Sequence, residues 1–104
     1  MIDKAYQLGL MRGAIEDYQN GLMALDVLVS KIEGLLSVID DRALWNKVFD
    51  AFFDLEQVSA SSCVAGYDYE KYGRPVVERA IKEIIAKIEP YLSQPGESDS
   101  TASG

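Results

Sequence analysis

The sequence predicts an all-α protein, an antiparallel bundle of four helices in one domain. Apolar residues recur at spacings of three and four in four separate stretches, which is typical of amphipathic helices. No stretch shows the clean alternation of polar and apolar residues that indicates a strand. The chain has 104 residues, enough for one small core. We predict that residues 1–92 form this domain and that residues 93–104, rich in Ser, Gly and Pro, are disordered.

The first predicted helix runs from about Asp3 to Tyr18. Asp3 suits the N-cap, because its carboxylate can accept a hydrogen bond from a free backbone N–H of the first turn. Gly21 suits the left-handed conformation that ends many helices. The predicted buried stripe consists of Leu8, Met11, Ile15, Tyr18 and Leu22.

The second predicted helix covers roughly residues 23–39 and has a broad apolar face. Asp40 and Asp41 then indicate a break followed by the N-cap of the next helix. The predicted buried residues are Leu25, Leu28, Val29, Ile32, Leu35, Leu36 and Ile39.

The third predicted helix covers roughly residues 42–62 and should be the central one. It contains the single Trp and all three Phe residues of the chain. Trp45 is therefore predicted to lie in the core. The predicted buried stripe consists of Leu44, Trp45, Val48, Phe49, Phe52, Leu55 and Ser59.

The fourth predicted helix begins near Arg74, where Pro75 suits the first helical turn. Pro90 is predicted to end or kink the helix, because proline lacks the backbone N–H that a helix interior requires. The predicted buried stripe consists of Val77, Ala80, Ile81, Ile84 and Ile88.

The charge balance restricts the possible partners. Seventeen acidic residues against ten basic ones give a net charge of −7, which argues against binding to nucleic acid or to an anionic membrane. The single cysteine, Cys63, cannot form an internal disulfide. No segment reaches the roughly 18 apolar residues of a membrane span, and the first residues lack a signal-peptide core. We therefore expect a cytoplasmic protein.

The sequence offers little for catalysis. It contains no histidine, so Cys63 has no histidine to activate it as a nucleophile. Neither a glycine-rich phosphate loop nor a Cys or His metal spacing is present. Asp50 and Asp54 are one helical turn apart and could in principle hold a hard cation, although no calcium-loop pattern supports one. We predict a protein that is not an enzyme and that needs no cofactor or metal.

Residues 48–70 contain five acidic side chains and no Lys or Arg. Like charges one turn apart destabilise a helix slightly, so helix stability does not explain this pattern. One interpretation is a solvated acidic face that keeps the protein soluble. The other is a surface complementary to a basic protein. The five residues are Asp50, Asp54, Glu56, Asp68 and Glu70.

The connection before the fourth helix reads AGYDYEKYG, residues 65–73, and holds three tyrosines. These rings could cover the end of the bundle, with Tyr69 and Tyr72 packed down and Tyr67 pointing outward. Alternatively, they could anchor a partner, since tyrosine provides large contact area at low entropic cost and keeps a hydroxyl for hydrogen bonding.

Two segments carry a resemblance to a known class. NGLMALDVLVSKIEGLLSVIDD followed by LWNKVFDAFFDLEQVSA resembles the small helical immunity proteins of bacterial toxin systems, the colicin D immunity-like and contact-dependent growth inhibition immunity proteins. The shared features are a turn, a Leu-rich helix, and an aromatic helix with a Leu-Glu pair, here Leu55 and Glu56. The resemblance covers roughly residues 15–62. It implies a non-enzymatic inhibitor of a toxin from the same operon, often a basic nuclease.

These observations together predict an immunity protein that occludes the basic active site of a toxin. Two alternatives stay open: an anti-CRISPR or other nucleic-acid-mimicking inhibitor, and a plain helical dimerisation module. We predict a partner that is the cognate toxin domain, with no direct contact to nucleic acid or membrane. The predicted contact residues are Asp50, Asp54, Glu56, Tyr67, Asp68, Tyr69, Glu70 and Tyr72.

Overall fold

A computed structural model describes residues 3–92, and this part of the chain confirms the all-α four-helix bundle. The predicted disordered tail, residues 93–104, lies outside the described residues. A short π-helical turn, Tyr69–Gly73, leads directly into the last helix. The four α-helices are α1 (Lys4–Gln19), α2 (Leu25–Ile39), α3 (Arg42–Ser61) and α4 (Arg74–Leu92).

The helix ends follow from local side-chain chemistry. Asp3 and Asp41 cap α1 and α3, each accepting a hydrogen bond from a backbone N–H three residues further on, at 3.3 and 3.0 Å. Asp40 ends α2 with a φ of 55°, in the left-handed region that aspartate tolerates better than most residues. Because Asp40 reverses the chain and Asp41 starts the next helix, α2 and α3 need only a two-residue connection. Gly21 has a φ of 77° just past α1, as predicted.

Each helix packs against the next along the chain, and α4 packs back on α1. Two contacts show the antiparallel order. The ammonium group of Lys4 lies 5.1 Å from the ring centroid of Tyr91, which places the start of α1 beside the end of α4. The Nζ of Lys47 donates to the Tyr91 hydroxyl at 3.4 Å, which places the start of α3 beside that same end. A further ion pair joins Lys4 to Asp41, between the starts of α1 and α3.

One apolar core runs between the four helices, and no polar or charged side chain is buried in the described part of the chain. The stripe predicted for α4 is buried in full. Pro90 does not end α4, which continues to Leu92. It lies in the last turn, where its missing N–H removes only one helical hydrogen bond. The largest fully buried side chains are Leu8, Met11, Ile15, Leu28, Ile32, Leu36, Leu44, Leu55, Ile84, Ile88, Val48 and Val77.

Some predicted core positions are wrong. Phe49 is 50 % exposed, and Trp45 is only partly buried. Both lie at the edge of the buried stripe of α3, where the neighbouring helix does not cover the whole ring. Leu22, predicted to extend the stripe of α1, lies beyond the end of that helix and is 76 % exposed.

Candidate functional site

The outward surface of α3 carries a row of aromatic rings. Phe49 and Phe53 are one turn apart and stack with their centroids 6.1 Å apart and their planes 21° from parallel. Trp45 precedes them by another turn, 6.4 Å from Phe49. The indole also meets the buried ring of Phe52 edge to face at 5.6 Å, which connects the surface to the core. We refer to Trp45, Phe49 and Phe53 as the aromatic row.

The three acidic residues of α3 lie on both sides of the aromatic row. A helix turns about 100° per residue, so Asp50 and Asp54 point in similar directions. Glu56 is two residues beyond Asp54 and therefore points to nearly the opposite side of α3. Asp54 and Glu56 are both half-buried at the edges of the exposed surface, whereas Asp50 is exposed. The structure thus places two carboxylates along one edge of the row and one along the other.

These three carboxylates have no cationic partner. Within residues 3–92, neither Asp50, Asp54 nor Glu56 forms an ion pair or a hydrogen bond with another side chain. Lys47 precedes Asp50 by one turn, but its ammonium group is directed at Tyr91 of α4. These three carboxylates are therefore not paired with a cation within residues 3–92.

The two acidic residues of the connection have structural partners instead. Asp68 caps the π-helical turn, since its Oδ1 accepts a hydrogen bond from the backbone N–H of Lys71 at 3.1 Å. Glu70 accepts two hydrogen bonds from the guanidinium group of Arg74, at 2.7 and 3.0 Å. These bonds to Arg74 lower the pKa of Glu70. The charge of Glu70 is therefore already paired within the molecule.

Tyr69 connects the π-helical turn to α1. Its hydroxyl shares a hydrogen bond with the hydroxyl of Tyr18, at 2.5 Å, and its ring packs against the core. Burial, together with this hydrogen bond, raises the pKa of Tyr18. The guanidinium group of Arg74 lies 5.9 Å from the Tyr69 ring centroid, within cation–π range. Tyr69 therefore holds the connection against the bundle.

Gly73 explains why the connection packs so closely. It is buried, and a Cβ there would lie 2.7 Å from Cδ1 of Tyr69, 2.9 Å from the Tyr67 hydroxyl and 2.9 Å from Cγ1 of Val58. Tyr67 and Tyr69 therefore both pack over this glycine, and Tyr67 is half-buried. The expectation that Tyr67 points outward while Tyr72 packs down is wrong: Tyr72 is 58 % exposed.

The eight predicted contact residues thus form two groups. Asp50, Asp54 and Glu56 lie on α3, and Asp54 is about 10 Å along the helix axis from Ser61, the last helical residue. The other five lie beyond that end, and Tyr72 is the most accessible of the three tyrosines. The remaining four are Tyr67, Asp68, Tyr69 and Glu70, which make the contacts that fix the connection.

The exposed pair Phe49 and Phe53 is not among the contact residues that the sequence predicts. A signal was present, because Phe52 and Phe53 are adjacent and point about 100° apart on a helix. Only one of two such neighbours can face the centre of a narrow core. Phe52 is 3 % exposed and Phe53 is 45 % exposed.

The described residues offer no metal centre and no membrane span. Within residues 3–92, no group of three or more His, Cys, Asp or Glu side chains is placed to hold a metal ion. No helix of that range is both long and apolar enough to cross a membrane. Comparisons with known proteins give no match to a family model, to a curated protein or to a solved structure. The resemblance to immunity proteins therefore stays a prediction, and function is inferred from the surface of the bundle.

Proposed function

We propose that this chain is an immunity protein, a stoichiometric inhibitor that binds a basic toxin domain and occludes its active site. The observation that carries this proposal is the set of unpaired carboxylates of Asp50, Asp54 and Glu56 along both edges of the outward surface of α3. A nuclease holds phosphate groups with Lys and Arg side chains. The same side chains would pair with these carboxylates, so substrate would be excluded by charge and by volume.

Charge contributes to this mechanism in two ways. The net charge of −7 and the acidic surface of α3 attract a basic protein before contact, which raises the association rate. After contact, water leaves the interface, and close charge pairs then contribute to affinity more than they do on a free surface. The occlusion requires only binding, so no group on this chain needs to act as an acid, a base or a nucleophile.

The connection before α4 supplies a second contact in this proposal. Tyr72 presents its ring to solvent near the end of α3 and can cover part of the partner. Tyr67, Asp68, Tyr69 and Glu70 act indirectly, because they hold the turn on which Tyr72 lies. A rigid turn lowers the entropy that is lost when an interface forms.

The test is co-expression with the toxin domain that the neighbouring gene encodes. We expect the wild-type chain to restore growth of cells that express this domain. The purified chain should abolish the activity of the toxin at one equivalent. Growth arrest that persists despite soluble, folded wild-type chain would disprove the proposed function. Inhibition far below one equivalent would also contradict occlusion, because it would require turnover.

A further inference from the structure

The aromatic row is an apolar surface without a partner in the described part of the chain. Phe49 is 50 % exposed and Phe53 is 45 % exposed, and the two rings stack to form a continuous patch with Trp45. Single exposed apolar residues are common on soluble proteins, whereas contiguous aromatic patches mark contact surfaces. A groove of about 480 Å³ opens beside the row and is lined by Asp40, Arg42, Trp45, Asn46 and Phe49. A side chain from another molecule could enter it.

The surroundings of the row determine what kind of molecule can cover it. Asp50 and Asp54 lie along one edge, Glu56 lies along the other, and none of the three is paired within residues 3–92. An occupant must therefore offer an apolar centre and cations at both edges. Otherwise the carboxylates would lose water without gaining a partner, which is unfavourable.

Two other occupants lack this chemistry. A second copy of the chain would bring the same three carboxylates against their counterparts. Arg42 is the one cation that lines the groove beside the row, so negative charges would remain in excess across such an interface, and like charges there are costly. The residues 93–104 of this chain contain Glu97 and Asp99, no Lys or Arg, and no large apolar side chain. That segment therefore has neither an apolar group for the row nor a cation for its edges.

We propose that the aromatic row is the apolar anchor of the interface with a basic protein surface, one that surrounds an apolar side chain with Lys or Arg. The inference rests on the proposed function and assigns separate roles to the carboxylates and to the aromatic rings. Arg side chains can stack on the exposed ring faces while pairing with Asp50, Asp54 or Glu56. The carboxylates then control the association rate, and Phe49 and Phe53 control the dissociation rate.

The experiment measures the kinetics of binding between the full chain and the toxin domain that the neighbouring gene encodes. The toxin domain is used as a catalytically inactive variant. The test variant is Phe49→Ala/Phe53→Ala. The matched control is Tyr6→Ala/Leu10→Ala, because Tyr6 and Leu10 are also exposed and one turn apart, but on α1. We expect the test variant to dissociate at least about 30-fold faster, with an association rate within about threefold of wild type. The control should match wild type in both rates.

The other outcomes are distinguishable. Dissociation of Phe49→Ala/Phe53→Ala within threefold of wild type, at unchanged helical content, overturns the anchor while leaving the proposed function standing. Failure of the folded wild-type chain to bind the toxin domain overturns the proposed function and this inference with it. Sedimentation tests the third possibility, in which a second copy covers the row. A wild-type dimer that Phe49→Ala/Phe53→Ala converts to a monomer would overturn the inference in favour of that second copy.

Discussion

The hydroxyl groups of Tyr18 and Tyr69 share a hydrogen bond that joins the end of α1 to the π-helical turn. The two residues are 51 positions apart in the sequence. This bond, the packing of Tyr67 and Tyr69 over Gly73, and the pairing of Glu70 with Arg74 together fix the connection that presents Tyr72. The tyrosine-rich segment is therefore largely part of the scaffold, and only its last ring faces outward.

Removing the Tyr18 hydroxyl should destabilise the protein and change its response to alkali. We expect Tyr18→Phe to cost about 1 kcal/mol of unfolding free energy at neutral pH. Burial raises the pKa of Tyr18 in the folded state, so folding opposes its ionisation. The stability linked to this group is therefore complete below the ordinary tyrosine pKa near 10 and is lost as the pH rises above it. Urea unfolding at pH 8 and pH 11 measures both effects, and equal losses in wild type and Tyr18→Phe would contradict the assignment.

Gly73 should not tolerate a larger residue. Because a Cβ there meets Tyr69, Tyr67 and Val58 at under 3 Å, we expect Gly73→Ala to cost about 1–3 kcal/mol. Gly34→Ala is the matched control, since Gly34 lies inside α2 with no atom near its Cβ position. That control should gain about 0.5–1 kcal/mol from better helix propensity. Thermal unfolding measures the stability of both variants. An unchanged stability of Gly73→Ala would contradict the close packing over Gly73, because the side chains around it would then have to move at no cost.

The two adjacent phenylalanines of α3 should differ sharply in their contribution to stability. Phe52 is 3 % exposed and Phe53 is 45 % exposed. We expect Phe52→Ala to cost about 3–5 kcal/mol, because it leaves a cavity in the core. Phe53→Ala should cost under about 1 kcal/mol, because its ring already contacts water. Chemical denaturation of the two variants gives the comparison, and similar losses would contradict the orientation of α3.

Acid should weaken the contact between the starts of α1 and α3. The hydrogen bond from Lys4 lowers the pKa of Asp41 in the folded state. The stabilisation is therefore present above the ordinary aspartate pKa near 3.8 and is lost as the pH falls through the lower folded value. Asp41→Asn keeps the N-cap of α3 but removes the charge, so we expect a loss of about 0.2–1 kcal/mol at pH 7. This loss should shrink as acid protonates Asp41, and a difference that does not change as the pH falls would point to the cap instead.

Charge reversal on α3 should slow binding of the toxin domain. We expect Asp50→Lys/Asp54→Lys to reduce the association rate at least about tenfold at low salt and to flatten its salt dependence. The control Asp17→Lys/Glu83→Lys changes net charge equally with exposed residues of α1 and α4. Stopped-flow measurements of the association rate of both variants distinguish the effect of charge on the α3 surface from the effect of net charge. Equal slowing by the two would show that net charge alone steers the encounter.

Local sequence patterns account for the four helices and most of the core. Apolar spacing identifies a helix and its inward side without knowledge of any neighbour, and the caps Asp3 and Asp41 depend only on residues three positions away. The stripe of α4 was predicted in full for the same reason. The excess of acidic residues between positions 48 and 70 was also evident from the sequence alone.

Packing between the elements determines which of those acidic and aromatic groups are available to a partner. Glu70 is paired by Arg74, Tyr69 is bonded to Tyr18, and Phe49 is left outside the core. Each of these outcomes depends on how far a neighbouring element extends over a side chain. Helical spacing gives the direction of a residue around its own helix, but it carries no information about the position of the next helix. The candidate contact surface is therefore a property of packing between elements.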